Sequence, residues 1–215
     1  VCTAITDFAA SGLVKDNDAP GGNVTGTSDM NPVVDQIDLL HQLAPEAKKV
    51  GLLYCTAESN SKIQIELAAA ELKKLGMEGV EYTASSSNEV QQVVESMMGK
   101  VDAIYTPTDN TIASAMTVIA SIANEHKVPT VCGEVAHVEA GGLASLSINY
   151  EELGRRAGEM AVRILTEGAE PAAMPIESMG AAECDLVYNG QTAEALGIDV
   201  TSLVEDGATD VSAAE

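Results

Sequence analysis

Aromatic side chains are nearly missing from this chain, which has no tryptophan, one phenylalanine and five tyrosines in 215 residues. Sugar sites usually stack their ligands on aromatic faces, so a sugar-binding role has little support. Basic residues are also scarce, 11 against 33 acidic ones, giving a net charge of −22. A surface that acidic repels phosphate backbones and argues against nucleic acid as a partner. No stretch approaches the roughly 20 uninterrupted apolar residues of a membrane span. The motifs of common chemistries are missing too. Cys2, Cys55, Cys132 and Cys184 stand far apart with no Cys-x-x-Cys pair, so the plain reading is small buried apolar residues and a zinc site has very little support. Pro20-Gly21-Gly22 is not followed by Gly-Lys-Ser/Thr and reads as a turn, not a phosphate cradle. Gly-x-Ser-x-Gly is absent, and His41, His126 and His137 lie near no nucleophile in sequence. We therefore read the chain as no enzyme, with no catalytic residue, no metal and no cofactor.

What is present is a regular alternation of strands and helices. Val50–Tyr54, 79–82, 101–105, 128–132 and 143–148 read as strands. Between them run helical stripes: Ile63, Leu67, Ala68, Leu72 and Leu75; Val90, Val93, Val94, Met97 and Met98; Ile112, Ala115, Met116, Ile119, Ile122 and Ala123. The first two end at Gly76 and Gly99, suitable C-terminal caps. Strands alternating with helices of this length indicate an α/β fold with a mainly parallel sheet covered on both faces. Upstream, 1–5 and 23–27 read as two more strands joined by a short helical stretch. Asn31-Pro32 opens a helix with Val33, Ile37, Leu40 and Ala44 inward. Downstream, Asn149 and Glu152 form a capping-box pattern ahead of a helix striped by Leu153, Ala157, Met160, Ala161, Ile164 and Leu165. The flanking strands and this helix cannot close a doubly wound sheet of their own. They read as part of a second lobe whose other strands lie before Val1, and the start inside an apolar run favours a fragment over a processed product.

In an open parallel sheet, ligands bind beyond the carboxyl ends of the strands. The segments reaching that edge are Thr6-Asp7, Ser28-Asp29, Cys55 to Ser61 after Tyr54, Thr106 to Asn110, and Gly133-Glu134. Ser59-Asn60-Ser61 and Thr108-Asp109-Asn110 also start helices, and a helix N-terminus favours an anion such as a carboxylate. Asp7, Asp109 and Glu134, with Asp29, would attract an ammonium. One patch of each kind suits a zwitterion, and an amino acid is the simplest case. Asp, Asn and Ser at helix starts are also ordinary caps, worth about 1 kcal/mol each without any ligand. The adjacent pair Asp109-Asn110 is more than a cap requires, which makes Asp109 the expected ammonium partner and Asn110 a cap or polar contact.

At these residues a resemblance enters. Pro20-Gly-Gly-Asn-Val-Thr-Gly-Thr-Ser-Asp29, Lys49-Val-Gly-Leu-Leu-Tyr54, Asp102-Ala-Ile-Tyr-Thr-Pro-Thr-Asp-Asn110 and Tyr150-Glu-Glu-Leu-Gly154 resemble the ABC-transporter substrate-binding family that includes tryptophan- and other aromatic-amino-acid-binding lipoproteins. The resemblance runs nearly end to end. It implies a type I periplasmic-binding-protein fold, here one complete doubly wound parallel-sheet lobe plus a partial second lobe. The expected division is a partial N-terminal lobe over 1–28, a complete C-terminal lobe over 29–148, a helix returning to the N-terminal lobe over 149–168, a hinge-crossing segment and terminal helix over 169–204, and an acidic disordered tail over 205–215. The family's ligand segments carry over onto Thr6-Asp7, Glu58 to Ser61 and Thr108 to Asn110, with Tyr54, Asp29 and Glu134 as further candidates. Cys55 departs from the small polar residue, often asparagine, usual at that position. The implied function is an exported solute-binding subunit of a bacterial ABC importer, periplasmic or lipid-anchored and monomeric when full length. It captures a small ligand between two lobes by hinge closure and presents it to the permease. The rival readings are the ligand-sensing domain of a transcription regulator with the same fold, a sugar- or nucleoside-binding protein, and an enzyme of flavodoxin-like architecture.

Overall fold

The computed structural model describes residues 1–212. They divide into two compact units, one built from residues 1–31 and 148–184, the other from 32–147 together with the chain from 185 onward.

In the smaller unit β1 (Cys2–Thr3) and β2 (Gly26–Thr27) pair in parallel. Glycine is required at 26, because a Cβ there would lie 1.9 Å from the Cys2 carbonyl oxygen. The short helix expected between these strands does not form. Asp7 Oδ1 accepts from the N–H groups of Ala9 and Ala10 at 3.0 Å, Gly12 takes a left-handed φ of 72°, and the segment folds as successive turns over the fully buried Phe8.

The larger unit begins with α1 (Val33–Leu43) and β3 (Lys49–Cys55), followed by α2 (Ser59–Lys74), β4 (Glu78–Ala84) and α3 (Ser87–Met97). It continues through β5 (Ala103–Thr106), α4 (Asn110–Glu125), β6 (Thr130–Cys132), the short α5 (Val135–Glu139) and β7 (Ala144–Ser147). The chain then enters the smaller unit as α6 (Tyr150–Glu167), which packs on β1 and β2. The Asn149 carboxamide caps this helix by accepting from the Glu152 N–H at 3.0 Å. The Glu152 carboxylate does not complete the box; it pairs with Arg155 and Arg156. Leu153, Ala157 and Met160 are buried, whereas Leu165, part of the expected inward stripe, is 83% exposed.

After residue 184 the larger unit resumes with β8 (Asp185–Tyr188), α7 (Gly190–Leu196), α8 (Thr201–Glu205) and β9 (Thr209–Asp210). The strand order is β4-β3-β5-β6-β7-β8-β9, parallel except for the antiparallel pair β7-β8. Residues 29–148 are therefore not a complete sheet, since β8 and β9 extend it. Of the expected acidic tail, 205–212 are ordered: β9 pairs with β8, and the Val211 N–H donates to the Tyr188 carbonyl at 2.8 Å. Backbone pairing holds this segment despite its polar sequence. The last three residues of that expectation lie outside the described ones.

Two apolar layers sandwich the sheet. Leu52, Tyr54 and Tyr105 face the α1 and α2 layer, while Leu53 and Ile104 face α3 and α4. Among the first five strands of the larger unit the order is β4-β3-β5-β6-β7, and chain direction across the sheet reverses between β3 and β5. That gap between diverging connections is where open α/β sheets leave a crevice at the carboxyl edge. Among the described residues, no helix is long and apolar enough to cross a membrane.

Candidate functional site

The segments leaving β3 and β5 stand at that reversal and are bound to each other. Asp109 ends the β5 segment as the cap of α4, its Oδ1 accepting the Ile112 N–H at 2.9 Å. Its Oδ2 reaches across to the β3 segment, accepting the Cys55 N–H and the Ser61 hydroxyl, both at 2.7 Å. Asp109 is 1% exposed. The structure thus gives it a different part from the expected ammonium contact: both oxygens are used inside the protein, tying the two segments together. Burial, the strongest influence, pushes its carboxyl above the ordinary range, against the pull of those donors.

Glu58 makes the reciprocal tie. Its carboxylate accepts from the Asn110 N–H at 2.9 Å, the Thr111 N–H at 2.7 Å and the Thr111 hydroxyl at 2.8 Å. The first N–H groups of α4, an expected seat for an anionic ligand, are therefore taken by the protein's own carboxylates. Burial alone would raise the Glu58 carboxyl, but the Thr111 hydroxyl and the N–H groups of Asn110 and Thr111 hold it below its ordinary 4.5. A carboxyl lowered on folding contributes stability above its unfolded pKa and loses it as pH falls through the folded value. Glu58→Gln should thus be less stable than the parent at neutral pH, with the two denaturation midpoints converging as pH falls below the ordinary carboxylate range. Parallel midpoint curves across that range would rule out this assignment.

The other candidates spread around this rim. Asn60 Nδ2 donates to the Thr108 carbonyl at 3.0 Å. Ser59 and Asn110 are exposed, and the Asn110 carboxamide lies 3.5 Å from Glu58. Glu134 Oε1 is 3.0 Å from Nε2 of the fully buried His137, whose Nδ1 lies 3.1 Å from the Thr106 hydroxyl. Tyr54 does not join the group. Strand alternation turns it into the α1 and α2 layer, and its hydroxyl donates to Glu81 at 2.6 Å beside Lys62, itself 3.0 Å from Glu81.

In the smaller unit, Thr6 and Asp29 are buried, and the Thr6 carbonyl accepts the Ser28 hydroxyl at 2.7 Å. Asp7 Oδ1 also accepts from Asn17 Nδ2 at 3.1 Å, and those contacts keep its carboxyl below the ordinary range, the Ala10 N–H foremost. Asp7 thus shapes its own loop.

Residues the sequence reading passed over matter as much. Gly133 follows β6, and a Cβ there would sit 2.4 Å from both Pro107 C and Thr108 N. Gln36 and Gln64, on helices, are completely buried. A buried glutamine is uncommon and must be hydrogen-bonded, but its burial was not visible while only apolar stripes defined the inward faces.

A sequence model of the family described as ABC transporter substrate binding protein matches residues 1–212. A tyrosine-binding protein of Clostridioides difficile (strain R20291) is 41% identical over 202 residues, covering 94% of this chain. The chain spans 58% of that relative's length. Among solved structures, the ABC domain in complex with L-Trp from Streptococcus pneumonia aligns with a TM-score of 0.88 at 40% identity, over 97% of this chain and 70% of that one. A ligand-free, open substrate-binding protein with adhesive properties from Clostridium difficile aligns at 0.80 and 40% identity, over 99% and 70%. A LacI family transcriptional regulator from Bifidobacterium animalis shares the fold at 14% identity and a TM-score of 0.56.

Proposed function

Because the chain belongs to the ABC transporter substrate-binding protein family, we propose that it binds an aromatic amino acid. We further propose that the intact protein is the exported, non-catalytic subunit that delivers this ligand to an importer's membrane permease. The relatives support the ligand class, one being a tyrosine-binding protein and another carrying L-Trp. The observation that carries the reading is the reversal of strand order between β3 and β5, with the segments Glu58 to Ser61 and Thr108 to Asn110 joined at that carboxyl edge. Its charged side chains are carboxylates, Glu58 and Glu134 at the surface and Asp109 beneath, while Lys62 is turned to Glu81. Such a rim suits the ammonium end of an amino acid, with Ser59, Asn60 and Asn110 as neutral polar contacts.

Capture without chemistry also fits an arrangement among the described residues that looks catalytic. Thr106, His137 and Glu134 stand in the order hydroxyl, imidazole, carboxylate, yet Thr106 and His137 are both 0% exposed. A substrate cannot reach that hydroxyl, so the set serves packing.

Thermal-shift measurements on the intact natural protein test the reading. At a hundredfold excess over Kd a ligand adds about 2.7 kcal/mol, enough to raise Tm by several degrees. L-Tryptophan and L-tyrosine are expected to do so, and adenosine and glucose to leave Tm unchanged. A response to adenosine alone would overturn the proposal.

A further inference from the structure

We propose that Gln64, supported by Gln36, is a positioning residue for ligand binding: it fixes the backbone of Thr108 and, through it, the rim around the crevice. The inference rests on the rim reading above and adds to it two residues that touch no ligand.

The geometry is specific. Gln64 Oε1 accepts the Thr108 N–H at 3.0 Å while its Nε2 donates to the Thr108 carbonyl at 3.1 Å. One carboxamide thus closes both backbone groups of a single residue, as a neighbouring strand would. Asn60 adds a second donor to the same carbonyl at 3.0 Å. Pro107 and Thr108 pack face to face with Gly133, whose N–H donates to the Thr106 carbonyl at 2.7 Å. On the far side, Gln36 Nε2 donates to the Gly133 carbonyl at 3.1 Å and to that of Leu146 at 2.7 Å, and its Oε1 accepts the Tyr105 hydroxyl at 2.7 Å. The sequence Gln64, Thr108, Gly133, Gln36 is therefore a continuous transverse brace. It runs under the carboxyl edge from α2 to α1 and crosses the segments after β5 and β6.

Both glutamines are 0% exposed, so neither can be a ligand contact. Each uses donor and acceptor atoms together, which leucine, glutamate or lysine cannot reproduce. A core position needing only volume would be filled by leucine or methionine at less cost. Removing the Gln64 carboxamide takes away the acceptor of the Thr108 N–H and one donor to its carbonyl in a dry setting, which loosens the segment leading into the Asp109-Asn110 pair that starts α4.

The test compares Gln64→Leu with Leu72→Ala, a cavity on the same buried face of α2, both in the intact natural protein. Calorimetry with L-tryptophan and L-tyrosine is read beside hydrogen exchange at the Thr108 amide in the ligand-free protein. The expected result is about ten- to a hundredfold weaker binding and faster Thr108 exchange for Gln64→Leu, and near-parental affinity for Leu72→Ala at an equal loss of Tm. Gln64→Glu provides the second readout. Its protonated form can accept and donate as glutamine does, so its affinity should recover as pH is lowered, a profile the parent lacks. Equal affinity losses in Gln64→Leu and Leu72→Ala, or unchanged Thr108 exchange, would overturn the positioning role. Failure of the parent itself to bind either amino acid would instead overturn the ligand assignment, and the exchange measurement would still decide whether Gln64 holds Thr108.

Discussion

Asp109→Ala is expected to destabilise the larger unit by about 3–5 kcal/mol, among the largest losses a single polar substitution can cause here. The carboxylate it removes satisfies the N–H groups of Cys55 and Ile112 and the hydroxyl of Ser61. Alanine replaces none of them, and a buried donor left without a partner costs about 1–3 kcal/mol. Water cannot fully substitute, because Asp109, Cys55 and Ser61 are all essentially inaccessible. Asp109→Asn should fall between, since its oxygen can still cap Ile112 while its NH2 confronts the Cys55 N–H. Burial raises the Asp109 carboxyl, and a carboxyl raised on folding contributes stability at low pH that is lost as pH rises through the folded value. The Ala variant's deficit should therefore be largest in acid and narrow toward neutrality, the opposite of Glu58→Gln. Urea denaturation at several pH values measures this. A midpoint for Asp109→Ala equivalent to under about 1 kcal/mol of loss would refute the bridging role.

The fold was legible where burial and periodicity coincide. β3 reads directly from its apolar run, and Val90, Val94 and Met97 mark α3 at helical spacing and are all fully buried. It was illegible where hydrogen bonding replaces apolar burial. β9 has two exposed residues and is held by pairing with β8 and by the Gly190 N–H, which donates to Asp210 Oδ1 at 2.9 Å. In α2 the stripe placed Ala68 and Leu72 inward, and both are fully buried, but it missed part of that face: Leu67 is 41% exposed, whereas Gln64 and Ile65 are buried. An apolar stripe counts polar residues as outward, so it cannot find a glutamine drawn inward by a strand-end backbone.

The candidate site divides along the same line. That Glu58 to Ser61 and Thr108 to Asn110 lie together follows from both standing at strand ends, and the sequence order of the elements suffices to place them there. Which of their groups remain available is another matter. Asp109 reads as a charge facing a ligand and Glu58 as part of a ligand segment, but each is within reach of a helix N-terminus that needs acceptors, and both serve it. The competing demand comes from backbone N–H groups, and no pattern of side chains reveals whose carboxylate meets it. Tyr54 stands apart for a simpler reason: one step along a strand changes the face, and its side chain enters the α1 and α2 layer.

Gly133→Val in the intact natural protein should abolish the proposed amino-acid binding and lower Tm sharply. Its first added atom would have to sit 2.4 Å from Pro107 C and Thr108 N, which are backbone atoms and cannot swing aside like a side chain. Relief requires the segment after β5 to lift away from that after β6. Such a shift would strain the hydrogen bond between the Gly133 N–H and the Thr106 carbonyl and the Gln64 clamp on Thr108. Overpacking of this kind costs about 1–3 kcal/mol even where side chains can adjust, and more where backbone must move. Gly133→Ala brings the same Cβ with less bulk, so it should keep the fold and lose affinity by about tenfold or more. Gly12→Ala is the control. It adds a Cβ with nothing within 4 Å at a left-handed turn of the smaller unit, and should cost some stability while the affinity stays at the parental value. Calorimetry on the three variants decides the matter, and parental affinity in Gly133→Ala would show that the two segments can separate without consequence for the rim.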